Sequence, residues 1–99
     1  MTLSELIESI YALNREIKKF EKKYGLTSAD FYELFREGKL DDGDYEQTEE
    51  FCEWAGLYEI KLKREQKFRE LSRQAVSRML AASKGYALHL SPLKQSVEV

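Results

Sequence analysis

The chain has 99 residues and a formal net charge of −2, with 34% charged residues, one cysteine, one histidine, one proline and five glycines. A lone cysteine excludes an internal disulfide, and one His with one Cys falls short of the four ligands of a structural zinc site. A chain this short buries only about 60–65% of its unfolded surface, so a second chain often completes the core.

The small net charge conceals a strong segregation. Residues 1–27 carry five basic and four acidic side chains; residues 28–60 carry eleven acidic and two basic; residues 61–84 carry eight basic and two acidic. An acidic centre beside a basic segment is either self-complementary, within one chain or between two, or forms two separate partner surfaces.

Residues 4–24 place Leu6, Ile10, Leu13, Ile17 and Phe20 at alternating steps of three and four. That spacing predicts a helix with a narrow seam, fit for a hairpin or for a dimer. Thr2 followed by Glu5 predicts a capping box at its start. Tyr24-Gly25-Leu26-Thr27 is a helix stop followed at once by a start. Gly25 closes one helix in the left-handed conformation, and Thr27 caps the next with Asp30 three residues on. A short helix over residues 28–37 then presents Phe31, Leu34 and Phe35, and Gly38 ends it. This aromatic cluster reads as a plug for the open end of the hairpin, or as a binding groove.

A turn rich in Asp and Gly leads to Asp44, the expected N-cap of a second long helix over residues 45–83. Gly56 sits inside that helix, where a close helix–helix approach or a slight break would explain it. Beyond Gly85 the pattern changes. Tyr86, Leu88 and Leu90 alternate with Ala87, His89 and Ser91, as in a half-buried strand that needs an edge to pair with. The expected fold is therefore all-α, an antiparallel helical hairpin with a long N-terminal helix, a short capping helix and a long second helix. Residues 1–84 form the helical domain, and residues 85–99 an extended or disordered, strand-like tail.

No catalytic motif is present, so no enzyme and no cofactor are expected. Cys52 lies among Phe51, Trp54 and Ala55 and reads as a packed small residue rather than a nucleophile. Asp41, Asp42 and Asp44 have the composition of a calcium loop without its ligand order or its closing bidentate Glu, so no metal is expected. Lys61, Lys63, Arg64, Arg69 and Arg73 are candidate phosphate contacts, but with their basic neighbours they spread around the helix, which disfavours nucleic acid as the main partner. The absence of a signal-like start and of any membrane-length apolar run points to a cytoplasmic protein with no membrane association.

Three stretches carry a resemblance: the run from Phe20 through Tyr24-Gly25-Leu26-Thr27-Ser28 to Phe31-Tyr32-Glu33-Leu34-Phe35, then Gly38-Lys39-Leu40-Asp41-Asp42, then Phe51-Cys52-Glu53-Trp54-Ala55-Gly56-Leu57-Tyr58-Glu59. Over residues 13–71 the chain resembles small prokaryotic helical antitoxin-like proteins encoded beside small ribonuclease-like toxins. The acidic residues 43–50 and the tail beyond Gly85 depart from that pattern. The resemblance implies a protein–protein interaction module that neutralises a small basic toxin enzyme. Asp41, Asp42 and Asp44 would enter its basic cleft, with Phe51, Trp54 and Tyr58 as aromatic anchors. Tyr86, Leu88 and Leu90 would add a strand to the toxin's sheet. The alternatives are a homodimeric helical structural or adaptor protein, and a nucleic-acid-binding adaptor using the basic helix.

Overall fold

A computed structural model describes residues 1–41, 43–94 and 97–99, so Asp42 lies outside the described residues. It contains three helices: α1 (Leu3–Tyr24), α2 (Ser28–Arg36) and α3 (Tyr45–Ser83).

Each helix begins and ends on a local device. Thr2 Oγ1 accepts the Glu5 amide at 3.1 Å while the Glu5 carboxylate accepts the Thr2 amide at 3.2 Å, completing the capping box of α1. Gly25 ends α1 at φ 71°, in the left-handed region that a glycine enters without a Cβ penalty. Thr27 Oγ1 accepts the Asp30 amide at the start of α2. At its end, the Gly38 amide donates to the Phe35 carbonyl and the Lys39 amide to the Leu34 carbonyl, the paired bonds of a Schellman stop. Asp44 Oδ1 accepts the Gln47 amide at 2.8 Å and starts α3.

The corner at Gly25 turns the chain back on itself. Tyr24 packs on Phe51, Phe20 stacks on Trp54, and Ile10 and Tyr11 share a groove with Phe68 and Arg69. Numbers that fall along α1 rise along α3, so the two helices are antiparallel. The α1 seam is spent inside the chain: Leu6, Ile10 and Ile17 are buried and Leu13 and Phe20 half-buried. It is a hairpin seam, which removes it from the surfaces open to a dimer.

Ile17, Phe31, Trp54 and Ala55 form the buried core, with Phe20, Tyr24, Phe35, Phe51 and Tyr58 packed around it. The rings of Phe31 and Trp54 stack at 3.8 Å with 5° between their planes. Phe31 is thus the plug expected at the end of the hairpin.

The 39 residues of α3 form one unbroken helix, about 58 Å at 1.5 Å rise per residue, and the molecule extends 60 Å along its long axis. α1, about 33 Å by the same rise, covers only part of it. Neither explanation offered for Gly56 holds. The helix does not break there, and a Cβ at Gly56 would meet nothing within 4 Å.

The tail departs from the strand reading. Tyr86, Leu88 and Leu90 are exposed and outside any ladder, because no sheet edge stands among the described residues to pair them with. Pairing occurs instead at the end of the chain, where Glu98 bridges Thr2. There the Leu3 amide donates to the Val97 carbonyl at 2.8 Å and the Val99 amide to the Met1 carbonyl at 3.2 Å. Leu3 is the first residue of α1, and its amide has no acceptor within the helix. The tail supplies one.

Candidate interaction surface

Among the described residues no group of three or more His, Cys, Asp or Glu side chains stands close enough to hold a metal ion. Cys52 is exposed rather than packed, because the turn of α3 that buries Trp54 and Ala55 points Cys52 outward.

One polar relay ties the three helices together. Trp54 on α3 is fully buried, and its indole Nε1 donates to Ser28 Oγ at 2.8 Å. Ser28 Oγ in turn donates to Glu21 Oε2 on α1 at 2.8 Å, and the same carboxylate oxygen accepts the Ser28 amide at 2.9 Å. A carboxylate at the start of α2 also meets the positive end of that helix. This arrangement corrects the expectation that Trp54 is a partner-facing anchor. Its large ring is the centre of the core, and its single polar atom is satisfied inside the chain. Phe51 and Tyr58 are half-buried beside it.

Around this core the turn into α3 is held by Glu50. Its carboxylate takes an ion pair from Lys23 and a hydrogen bond from the Tyr24 hydroxyl. The Lys23 bond, with Tyr24 adding to it, holds the Glu50 carboxyl below its ordinary range, and the Lys23 ammonium is raised in return. The Tyr32 hydroxyl donates to Glu59 at 2.6 Å, and that bond holds the Tyr32 phenol above its ordinary range.

The remaining carboxylates of this end face solvent. Glu46, Glu49 and Glu53 recur at helical spacing on α3, all exposed, and none takes part in an ion pair among the described residues. Asp41 is exposed too, at a hollow it shares with Thr48 and Cys52, whereas Asp44 already spends one oxygen on capping α3. A shallow groove of about 440 Å³ opens between α2 and α3, lined by Tyr32, Glu33, Glu37, Tyr58 and Leu62 among others. Glu33, Glu37, Glu46, Glu49 and Glu53 were legible as an acidic segment. For Glu46, Glu49 and Glu53 the outward direction follows from the spacing once Trp54 and Ala55 are known to face inward.

The basic half of α3 lies further along the same helix. Lys63, Arg69, Arg73 and Arg78 are exposed, Lys61 and Arg64 half-buried, and Lys61 sits 5.9 Å from the centre of the Tyr58 ring. These side chains form no ion pair with the acidic end among the described residues. One unbroken helix carries the two charge blocks one after the other along its length. The result is a rod, acidic at one end and basic along the other.

No helix among the described residues is long and apolar enough to cross a membrane. Compared with models of known protein families, with curated proteins and with solved structures, the chain matches none.

Proposed function

We propose that this chain is a non-catalytic, cytoplasmic protein-binding module of antitoxin-like type, working as a homodimer and covering the basic cleft of a small toxin enzyme. The observation that carries this reading is the acidic face of Glu46, Glu49 and Glu53, with Asp41 at the turn before α3, all exposed and without an intramolecular counter-ion among the described residues. Such a face attracts a basic surface, speeds encounter and repels nucleic acid. The aromatic contribution falls to the half-buried edges of Phe51 and Tyr58, since Trp54 is enclosed. The exposed tail at Tyr86, Leu88 and Leu90, whose backbone is free of any ladder, suits strand addition to a partner's sheet. Nucleic acid is the weaker reading, because the cations of α3 point in all directions around the helix instead of forming a track.

The test is capture from the native cell extract with tagged wild type and with an Asp41→Lys/Glu49→Lys/Glu53→Lys variant. The reading expects one small basic protein, near-equimolar with the wild type and lost with the variant. Capture of the same proteins by both baits, or of nothing but the chain itself, defeats it.

A further inference from the structure

α3 carries a second stripe, separate from the acidic face. Tyr58, Leu62, Glu65, Arg69, Arg73, Val76 and Leu80 follow steps of four, three, four, four, three and four. That repeat averages close to 3.6 residues per turn, so the stripe stays on one side of a straight helix over about 33 Å. Leu62, Val76 and Leu80 on it are 43%, 44% and 58% exposed. Two grooves flank it, the one beside α2 and another of about 390 Å³ in which Tyr11 and Asn14 of α1 face Glu65 and Arg69.

The stripe is palindromic in chemistry about Arg69. Turning a second helix end for end over it places Leu80 opposite Tyr58, Val76 opposite Leu62 and Arg73 opposite Glu65. Apolar residues meet apolar residues, and the acid meets the base. Neither Glu65 nor Arg73 has an ion-pair partner within the chain among the described residues. Centred on Arg69, the contact overlaps residues 55–83 of the two helices, so the Glu65–Arg73 pair carries its charge complementarity and Glu46, Glu49 and Glu53 lie beyond it. Glu33 and Glu37, on the α2 wall of the groove at Tyr58, would face the incoming end with its Lys84. Only Arg69 meets its own kind, at the twofold axis. There its guanidinium already donates to Gln66 at 2.8 Å, and Glu65 of the second copy stands about one turn away.

We infer that a second copy of this chain docks antiparallel along α3, in a twofold register centred on Arg69, with Leu80 of each copy seated in the α2–α3 groove of the other and Glu65 paired with Arg73. This rests on the self-association included in the proposed function and names its surface. A twofold interface of this kind is self-complementary, so each contact occurs twice.

The experiment is sedimentation equilibrium of the full chain, with circular dichroism to check that each variant keeps its helices. Glu65→Arg sets two cations against each other about one turn to either side of the twofold axis and should raise the dimer dissociation constant by roughly tenfold or more. The double variant Glu65→Arg/Arg73→Glu restores opposite charges and should recover the dimer. In a Cys52→Ser background, Arg69→Cys should form an interchain disulfide under mild oxidation, because only the dyad residue lies opposite itself. A monomeric wild type, a dimer indifferent to Glu65→Arg, or a dimer in which Arg69→Cys does not cross-link overturns the register. None of these readouts involves the basic partner. Loss of the register therefore leaves partner capture to stand or fall on its own, and failed capture leaves the register intact.

Discussion

Trp54 and Ser28 lie 26 positions apart and are joined by a 2.8 Å hydrogen bond from the indole Nε1 to the serine Oγ, both side chains being buried. Ser28 passes the interaction on to Glu21, so one hydroxyl links α1, α2 and α3. Removing it with Ser28→Ala strands a buried indole N–H. The expected loss is about 1–3 kcal/mol of unfolding free energy. Trp54 is the only tryptophan of the chain, so urea unfolding followed by its fluorescence reads the change directly. An unchanged midpoint would show that the relay contributes nothing.

Gly56 supplies the opposite case. It lies in the interior of α3 with open space where a Cβ would go, so Gly56→Ala gains helix propensity without a clash. Stabilisation by about 0.5–1 kcal/mol is expected in the same urea titration.

Glu50 should mark the acid limit of the fold. Its carboxyl is held below its ordinary range by Lys23 first and Tyr24 second. A group with a lowered folded-state pKa gives stability that is complete above its unfolded-state pKa and is lost as pH falls through the lowered one. Stability should therefore drop on acidification below the ordinary carboxylate range, and Glu50→Gln should flatten that limb of the pH profile while lowering the neutral plateau. An acid limb of unchanged slope in Glu50→Gln would assign the effect to other carboxylates.

The contact between the two ends of the chain is testable by hydrogen exchange. The Leu3 amide is bonded to the Val97 carbonyl, so removal of residues 97–99 should speed exchange at Leu3. Amides in the middle of α1, such as Ile17, should keep their protection.

What could be read from the sequence was what local chemistry decides. The caps at Thr2, Thr27 and Asp44 and the glycine stops at Gly25 and Gly38 each involve residues within a few positions of one another, and all are found where their patterns put them. The α1 seam was equally plain, because Leu6, Ile10 and Ile17 share one face. Features set by distant residues were not legible. Trp54 has the chemistry of an interface anchor, and only the arrival of Phe31, 23 positions earlier in the chain, makes it core. Cys52 sits between apolar neighbours yet points outward. The alternation at Tyr86–Leu90 is a genuine strand pattern, yet no edge for it stands among the described residues, and the tail pairs instead where Val97 meets Leu3. The outward stripe of Glu46, Glu49 and Glu53 lay in the spacing and needed only the inward direction of Trp54 to be oriented.

The most direct test of the central claim, that an acidic face recognises a basic protein, is the association rate of the captured partner across ionic strength. The wild type should associate fast at low salt and slow steeply as salt rises, with dissociation little affected. The Asp41→Lys/Glu49→Lys/Glu53→Lys variant should lose both the fast rate and the salt dependence. Equal association rates for the two proteins at low salt would contradict the account.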